Sequence, residues 1–299
     1  MNTVVNAFAV NAASTPAVVL QQWLLRRLGP AAGLWLEEAL ASLGGGGSDR
    51  DLYRCVSLVS RKLGKAALEL DAAELAAACV ARPDWDPSSW TVDQAARILL
   101  LLVTGPEGGR FASRLDQLCA TADIDELVAF YRGLPLYPEP SRHRARAAEG
   151  VRSNMKVVFE AVVHRNPYPA EQLADEAWNQ MVLKALFVGS ALHPIVGLDR
   201  RSNAELARML GDYAHERWAA RRSISPELWR CVGPFAVGPL LEDFSRVLET
   251  GTAAERAAAV LALRNATDAE ARGLLDRHAA FRDVVAARGV DWTTVLAFN

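Results

Sequence analysis

Apolar residues return at every third or fourth position through most of the chain, and no stretch alternates with period two between hairpin turns. The pattern therefore predicts helices and gives strands little support. Helix starts are marked where a short polar side chain is followed three residues later by Glu or Gln, since the two satisfy each other's free amides. This occurs at Asp71/Glu74, Thr91/Gln94, Asp123/Glu126, Ser202/Glu205, Thr252/Glu255 and Thr267/Glu270. Thr15-Pro16 and Ser225-Pro226 add starts, and Gly29, Gly64, Gly133 and Gly251 supply stops. Together they predict helices over about 16–28, 31–43, 91–103, 108–121 and 123–132, others opened by Ser48 and Asp71, and one from Ser202 to about 221. A long helix over about 141–164 is expected to bend at Gly150, and short helices fill about 225–287, followed by a tail anchored by Trp292.

One stretch stands apart. From Ala177 to Val188 the apolar residues cover nearly the whole helical circumference, interrupted only by Asn179, Gln180 and Lys184, which predicts a helix surrounded by protein. The resulting fold class is all-α: antiparallel helical hairpins forming a right-handed or irregular α-solenoid-like, HEAT-like single unit, although no period is regular enough to define a repeat array. Leu134-Pro135-Leu136-Tyr137-Pro138-Glu139-Pro140 reads as a rigid linker. It divides an N-terminal helical subdomain (1–134) from a central core with a polar centre (135–224), with C-terminal HEAT-like short helices over 225–299, within one continuous domain.

Composition narrows the classes. With 51% apolar and 23% charged residues the chain is ordinary globular material, and a net charge of −2 offers no pull toward nucleic acid. Cys55, Cys79, Cys119 and Cys231 are too scattered for a zinc site and read as reduced, mostly buried thiols. The most lipid-like run, Ile98 to Val103, is six residues long, far short of the roughly 20 of a membrane span. Met1 to Ser14 has no Lys or Arg and so lacks a signal-peptide n-region. A cytoplasmic protein without an integral membrane segment is expected.

Phosphate-loop, nucleophile-elbow and zinc-helix motifs are missing, and no cofactor or metal is implied. Glu160 and His164 share metal-ligand spacing but fit a surface pair better. Uncommon polar residues concentrate between 152 and 230. Asn179 and Lys184 sit on the apolar helix, where unpaired burial is costly; a network fixing helix register is the bland alternative. His164, Arg165, Asn166 and Tyr168 lie in a turn, a common place for ligand contacts, or form only a rigid corner. Arg217 falls on the core arc of its helix and needs an acid, with Asp199, Glu160 and Glu227 available, or the ring of Tyr213. Asn154, among small and apolar neighbours, is a brace or a site. His215 falls on the outer side of its helix, and Trp229-Arg230 is a packed edge or a binding lip. Asn179 and Lys184 are expected to meet His164 and Arg217 in one centre.

Several stretches in order resemble the EboA family. They are Trp85-Asp86-Pro87 with Trp90 to Arg97, Tyr131 to Pro135, Glu149 to Met155, His164 to Pro169, Trp178 to Phe187, Gly197 to Arg200, Asp212 to Trp218 and Pro226 to Arg230. The likeness spans roughly residues 50 to 235 and departs at Asp199-Arg200-Arg201, where an acid is expected after the aspartate. The resemblance implies a bacterial protein of a gene cluster that makes or traffics a secondary metabolite, and it carries no assigned catalytic residue. The expectation is a non-catalytic accessory protein that binds pathway proteins or a small-molecule metabolite. The alternatives are a cofactor-independent acid–base enzyme and a pure helical-repeat interaction platform that uses Arg61, Lys62 and Lys65.

Overall fold

The computed structural model describes residues 15–105 and 109–299; the segment Met1 to Ser14 and the helix start expected at 108 lie outside them. Among the described residues the regular structure is helical and no strand forms, apart from an isolated antiparallel bridge between Ala67 and Thr91. The chain divides into two compact units, Met1–Gln172 and Leu173–Asn299.

The first unit contains α1 (Pro16–Arg27), α2 (Pro30–Gly44), α3 (Asp49–Leu63), α4 (Ala72–Ala81), α5 (Val92–Leu102), α6 (Arg110–Thr121), α7 (Ile124–Arg132), α8 (Arg144–Arg152), α9 (Lys156–Val163) and α10 (Tyr168–Gln172). Its centre is α5. Ala95, Ala96 and Ile98 to Leu101 are all 0% exposed, with α1, α2, α3 and α7 packed around them. The lipid-like run is thus a core helix, and each buried leucine contributes roughly 1.5–3 kcal/mol. Asp93 and Arg97 are also buried on α5: Arg97 Nη1 donates to Asp93 Oδ2 at 2.6 Å and Nη2 to Ser60 Oγ at 2.9 Å, tying α5 to α3. Trp85 and Trp90 anchor their proline turn, with rings 5.6 Å apart and Trp23 5.6 Å from Trp85.

The long helix expected over 141–164 is broken. A 3₁₀ turn (Pro140–His143) leads into α8, and the chain leaves helical geometry at Ser153, whose Oγ accepts from Met155 N, before α9 begins. Asn154 is exposed at this break rather than set among apolar neighbours. Gly150 does not bend the helix; it lets α8 approach closely, since a Cβ there would lie 2.5 Å from Val162 and 2.7 Å from the Tyr131 ring.

The second unit contains α11 (Asp175–Phe187), α12 (Leu198–Arg201), α13 (Ala204–Ala219), α14 (Trp229–Val232), α15 (Pro239–Thr250), α16 (Ala253–Leu263), α17 (Ala269–Arg277) and α18 (Ala279–Ala287). Here α16 is the surrounded helix, with Ala257 to Leu263 buried against α14, α15, α17 and α18. The expectation that α11 is enclosed is corrected. Trp178, Met181, Val182 and Ala185 are buried, but Gln180 is exposed and Phe187 is 78% exposed. Apolar residues around a helix mark burial only if every face meets a core, and one face of α11 lines a cavity instead.

Four of the expected N-terminal pairs form as capping boxes, at Asp71, Thr91, Asp123 and Thr252. Two are displaced by one residue because a better-placed Asx side chain takes the amides. Asn203 Oδ1 accepts from Leu206 N while Ser202 Oγ donates to Leu198 O, and Asp268 replaces Thr267 by accepting from Glu270 N and Ala271 N. Ser225 opens a short 3₁₀ turn (Pro226–Leu228) ahead of α14. The C-terminal tail is held by buried Val295 and Phe298 more than by the half-buried Trp292. All four cysteines are free thiols, and three are buried. No described helix is long and apolar enough to cross a membrane.

Candidate functional site

In the second unit, α11 presents Gln180, Leu183, Lys184 and Phe187 at i, i+3, i+4 and i+7, one face of a helix. On α13 and its C-cap, Tyr213, Glu216, Arg217 and Ala220 repeat the same spacing. These two stripes and Arg222 line a groove with a cavity volume of about 450 Å³. Leu183, Phe187 and Ala220 make it apolar, while Lys184, Arg217 and Arg222 outnumber Glu216.

The end of α13 positions the cations. Arg221 adopts φ +54°, the left-handed conformation usually left to glycine at a helix C-terminus. Its N–H donates to Trp218 O at 2.9 Å, and Arg222 N–H donates to Arg217 O at 2.8 Å. This double bond pattern ends the helix and turns Arg222 into the groove wall. Arg217 reinforces the turn, donating from Nε and Nη2 to Ser223 O at 3.0 and 2.8 Å. A backbone carbonyl, neither an acid nor a ring, thus compensates this half-buried guanidinium. Lys184 is half-buried on the facing helix, and desolvation by burial lowers its ammonium pKa below the ordinary lysine value.

The other expected site residues lie elsewhere. Asn179 is 4% exposed and makes a reciprocal amide pair with the α13 cap: its Nδ2 donates to Asn203 Oδ1 at 3.2 Å, and Asn203 Nδ2 donates back at 2.9 Å. That geometry braces α11 to α13. Asp199 accepts both Arg230 Nε and Nη2 at 2.7 Å. Trp229 is fully buried, 4.9 Å from the Phe244 ring. Glu227, also buried, accepts from Leu192 N and His193 N. In the first unit, Asn166 Nδ2 donates to Tyr131 O and Ala161 O while its Oδ1 accepts from Tyr168 N, and Tyr168 donates its hydroxyl to Pro140 O. Both are inward braces. His164 and Arg165 line a different cavity of that unit. Of the expected centre, then, Lys184 and Arg217 line one groove, together with Tyr213.

Sequence reasoning missed Gln180, Leu183, Phe187 and Glu216 as groove residues, although their shared i+3, i+4 spacing with Lys184 and Arg217 carried the signal. Arg222 left no signal, because its position depends on a left-handed arginine that no residue pattern announces. His215 is exposed as expected but also partnered, with Nε2 2.7 Å from Asp243 Oδ1; burial raises the Asp243 pKa against that pairing. Among the described residues no cluster of His, Cys, Asp and Glu could hold a metal ion.

A family model described as metabolite traffic protein EboA matches residues 17–233, which include every residue of the groove. No curated protein and no solved structure matches the chain.

Proposed function

We propose, because the chain belongs to the EboA family of metabolite traffic proteins, that it is a non-catalytic cytoplasmic binding protein for a small amphipathic anion. On this reading the HEAT-like pairing of its helices serves as a scaffold, and the α11–α13 groove is the binding site. The observation that carries the proposal is the groove itself: an α11 wall with an outward Phe187 beside Lys184, faced by Arg217, Arg222 and a single carboxylate, Glu216. Ligand sites combine apolar lining with a few convergent polar groups in this way. An aromatic or aliphatic body would cover Phe187 and Leu183, and a carboxylate or phosphate would accept from Lys184 and Arg222, charge-assisted bonds that are stronger than neutral ones.

The test is calorimetric titration with 2-naphthoate and with the neutral 2-naphthylmethanol. The proposal expects the acid to bind at least tenfold more tightly, and expects Lys184→Met to abolish that preference. Equal affinity for the two compounds would refute it. The depressed Lys184 pKa favours a second reading, acid–base catalysis on the same ligand class, because perturbed lysines gather at active sites. Lys184→Arg separates the two, since it keeps the charge but not a titrating proton. Retained ligand binding with no lost turnover supports the carrier, whereas turnover by the wild type that vanishes in Lys184→Arg supports the enzyme.

A further inference from the structure

We infer that the first unit holds a second ligand site, for the phosphate of a small phosphomonoester, in the cavity between α7 and α9. This cavity has a volume of about 410 Å³, and its wall combines Arg132, His164 and Arg165 with two acids, Asp125 and Glu160, and with the apolar Val128, Val157 and Ala161. It is separate from the groove proposed above and does not depend on that reading.

The argument rests on Arg132. Its Nη1 donates to Ser89 O at 3.0 Å and to Gln94 Oε1 at 2.6 Å, both neutral acceptors, and among the described residues no carboxylate forms an ion pair with it. Each acid of the wall and its edge has a cation of its own, in exposed pairs of the exchangeable kind. Asp125 meets Lys65 at 2.5 Å, Glu160 meets Lys156 at 3.7 Å and Asp86 meets Arg165 at 3.2 Å. Arg132 is therefore a half-buried cation in surplus. Desolvation and the neighbouring Arg165 charge both push its pKa down, so the protein holds this guanidinium against an adverse field. Such an arrangement is costly unless an anion completes it.

Arg165 adds the second charge. It is fixed at φ +51° at the end of α9, beside the Asn166 brace, and its surface pair with Asp86 is of the weak, exchangeable kind. Two guanidiniums offer more charge and, with the imidazole, more hydrogen-bonding groups than a singly charged carboxylate uses, whereas a phosphate dianion has three oxygens to accept from the guanidiniums. The apolar walls limit the rest of the ligand to a compact organic group.

Titration of the full chain carrying Lys184→Met, which removes the anion preference of the α11–α13 groove, with phenyl phosphate at neutral pH and with benzoate as the monoanionic control tests the assignment. Expected in that background are one saturable phenyl phosphate site, at least tenfold weaker binding when Arg165→Asn or Arg132→Gln is added, and benzoate at least tenfold weaker than phenyl phosphate. Asn tolerates the left-handed backbone, so Arg165→Asn removes charge without refolding the turn; it decides alone if Arg132→Gln does not fold. The inference is overturned if the Lys184→Met chain does not bind phenyl phosphate, if adding Arg165→Asn leaves that binding unchanged, or if benzoate matches phenyl phosphate.

Discussion

At the scale of single residues, Lys184 ties the chemistry of the groove to a measurable titration. Its pKa is lowered in the folded chain because burial penalises the ammonium, and unfolding restores the ordinary value. Below the folded pKa the lysine is charged in both states, so the penalty is fully present. As pH rises through the window between the two values the folded chain releases its proton first, and the penalty fades. Lys184→Met should therefore leave the melting temperature unchanged or slightly higher at neutral pH, with the difference shrinking toward the alkaline end of that window; thermal melts of both proteins across pH check this. Binding of an anion should raise the pKa again. Calorimetry of 2-naphthoate in two alkaline buffers of different ionisation enthalpy should then record proton uptake, absent from Lys184→Met. Arg221 gives the complementary prediction. Its left-handed conformation is strained for a residue with a Cβ, and Gly would relieve it at the expense of some unfolded-state entropy. Arg221→Gly is expected to stabilise the chain by about 1 kcal/mol, seen as a higher denaturation midpoint, without loss of groove binding.

At the scale of elements, the chain's helices were legible in its punctuation, because caps are local chemistry: Asp71, Asp123 and Thr252 each accept from the amide three residues on. What a helix packs against was less legible. The pattern that enclosed α11 on all sides could not distinguish Leu183 and Phe187 on a cavity wall from the same residues in a core, since both faces are apolar. Lys184 and Arg217 stand out in the sequence because charged residues on apolar arcs are uncommon, but the pattern groups them with Asn179 and His164, which do not line their groove. Asn179 was recognised as a buried polar group, but its partner Asn203 was hidden behind Ser202, which competes for the same capping role. Gly150 is the sharpest case of the difference between local and packing signals. Its sequence context suggested a bend, whereas its function is contact between α8 and α9, where a methyl group would meet Val162 and Tyr131. Gly150→Ala is expected to destabilise the chain by about 1–3 kcal/mol, despite alanine's higher helix propensity, and chemical denaturation reads the outcome directly. An increase in stability would show that the α8–α9 contact is loose.

At the scale of the whole molecule, the family match and the fold end in different places. The match stops at Gly233, yet the second unit is organised around α16, twenty residues further on. The match contains α11, α13 and α14 but none of the helices that cover them: α14 packs on α16, and α13 packs on α15. Trp229, the largest buried side chain of α14, lies tilted with its ring 4.9 Å from that of Phe244 on α15, and Glu227 and Leu228 belong to a turn that also packs on α16. Removing residues 234–299 would strip cover from Gly211, which lies against Leu240, and from Trp229, which lies against Phe244, a loss of several kcal/mol against a total stability that rarely exceeds 5–15 kcal/mol. A chain ending at Gly233 should therefore lose the cooperative unfolding transition of its second unit and the naphthoate affinity of the α11–α13 groove, while phenyl phosphate binding in the first unit persists. Differential scanning calorimetry with both titrations reads all three. A truncated chain that still bound naphthoate normally would mean that α11 and α13 hold their geometry through the Asn179–Asn203 brace and their own contacts, without the α16 core beneath them.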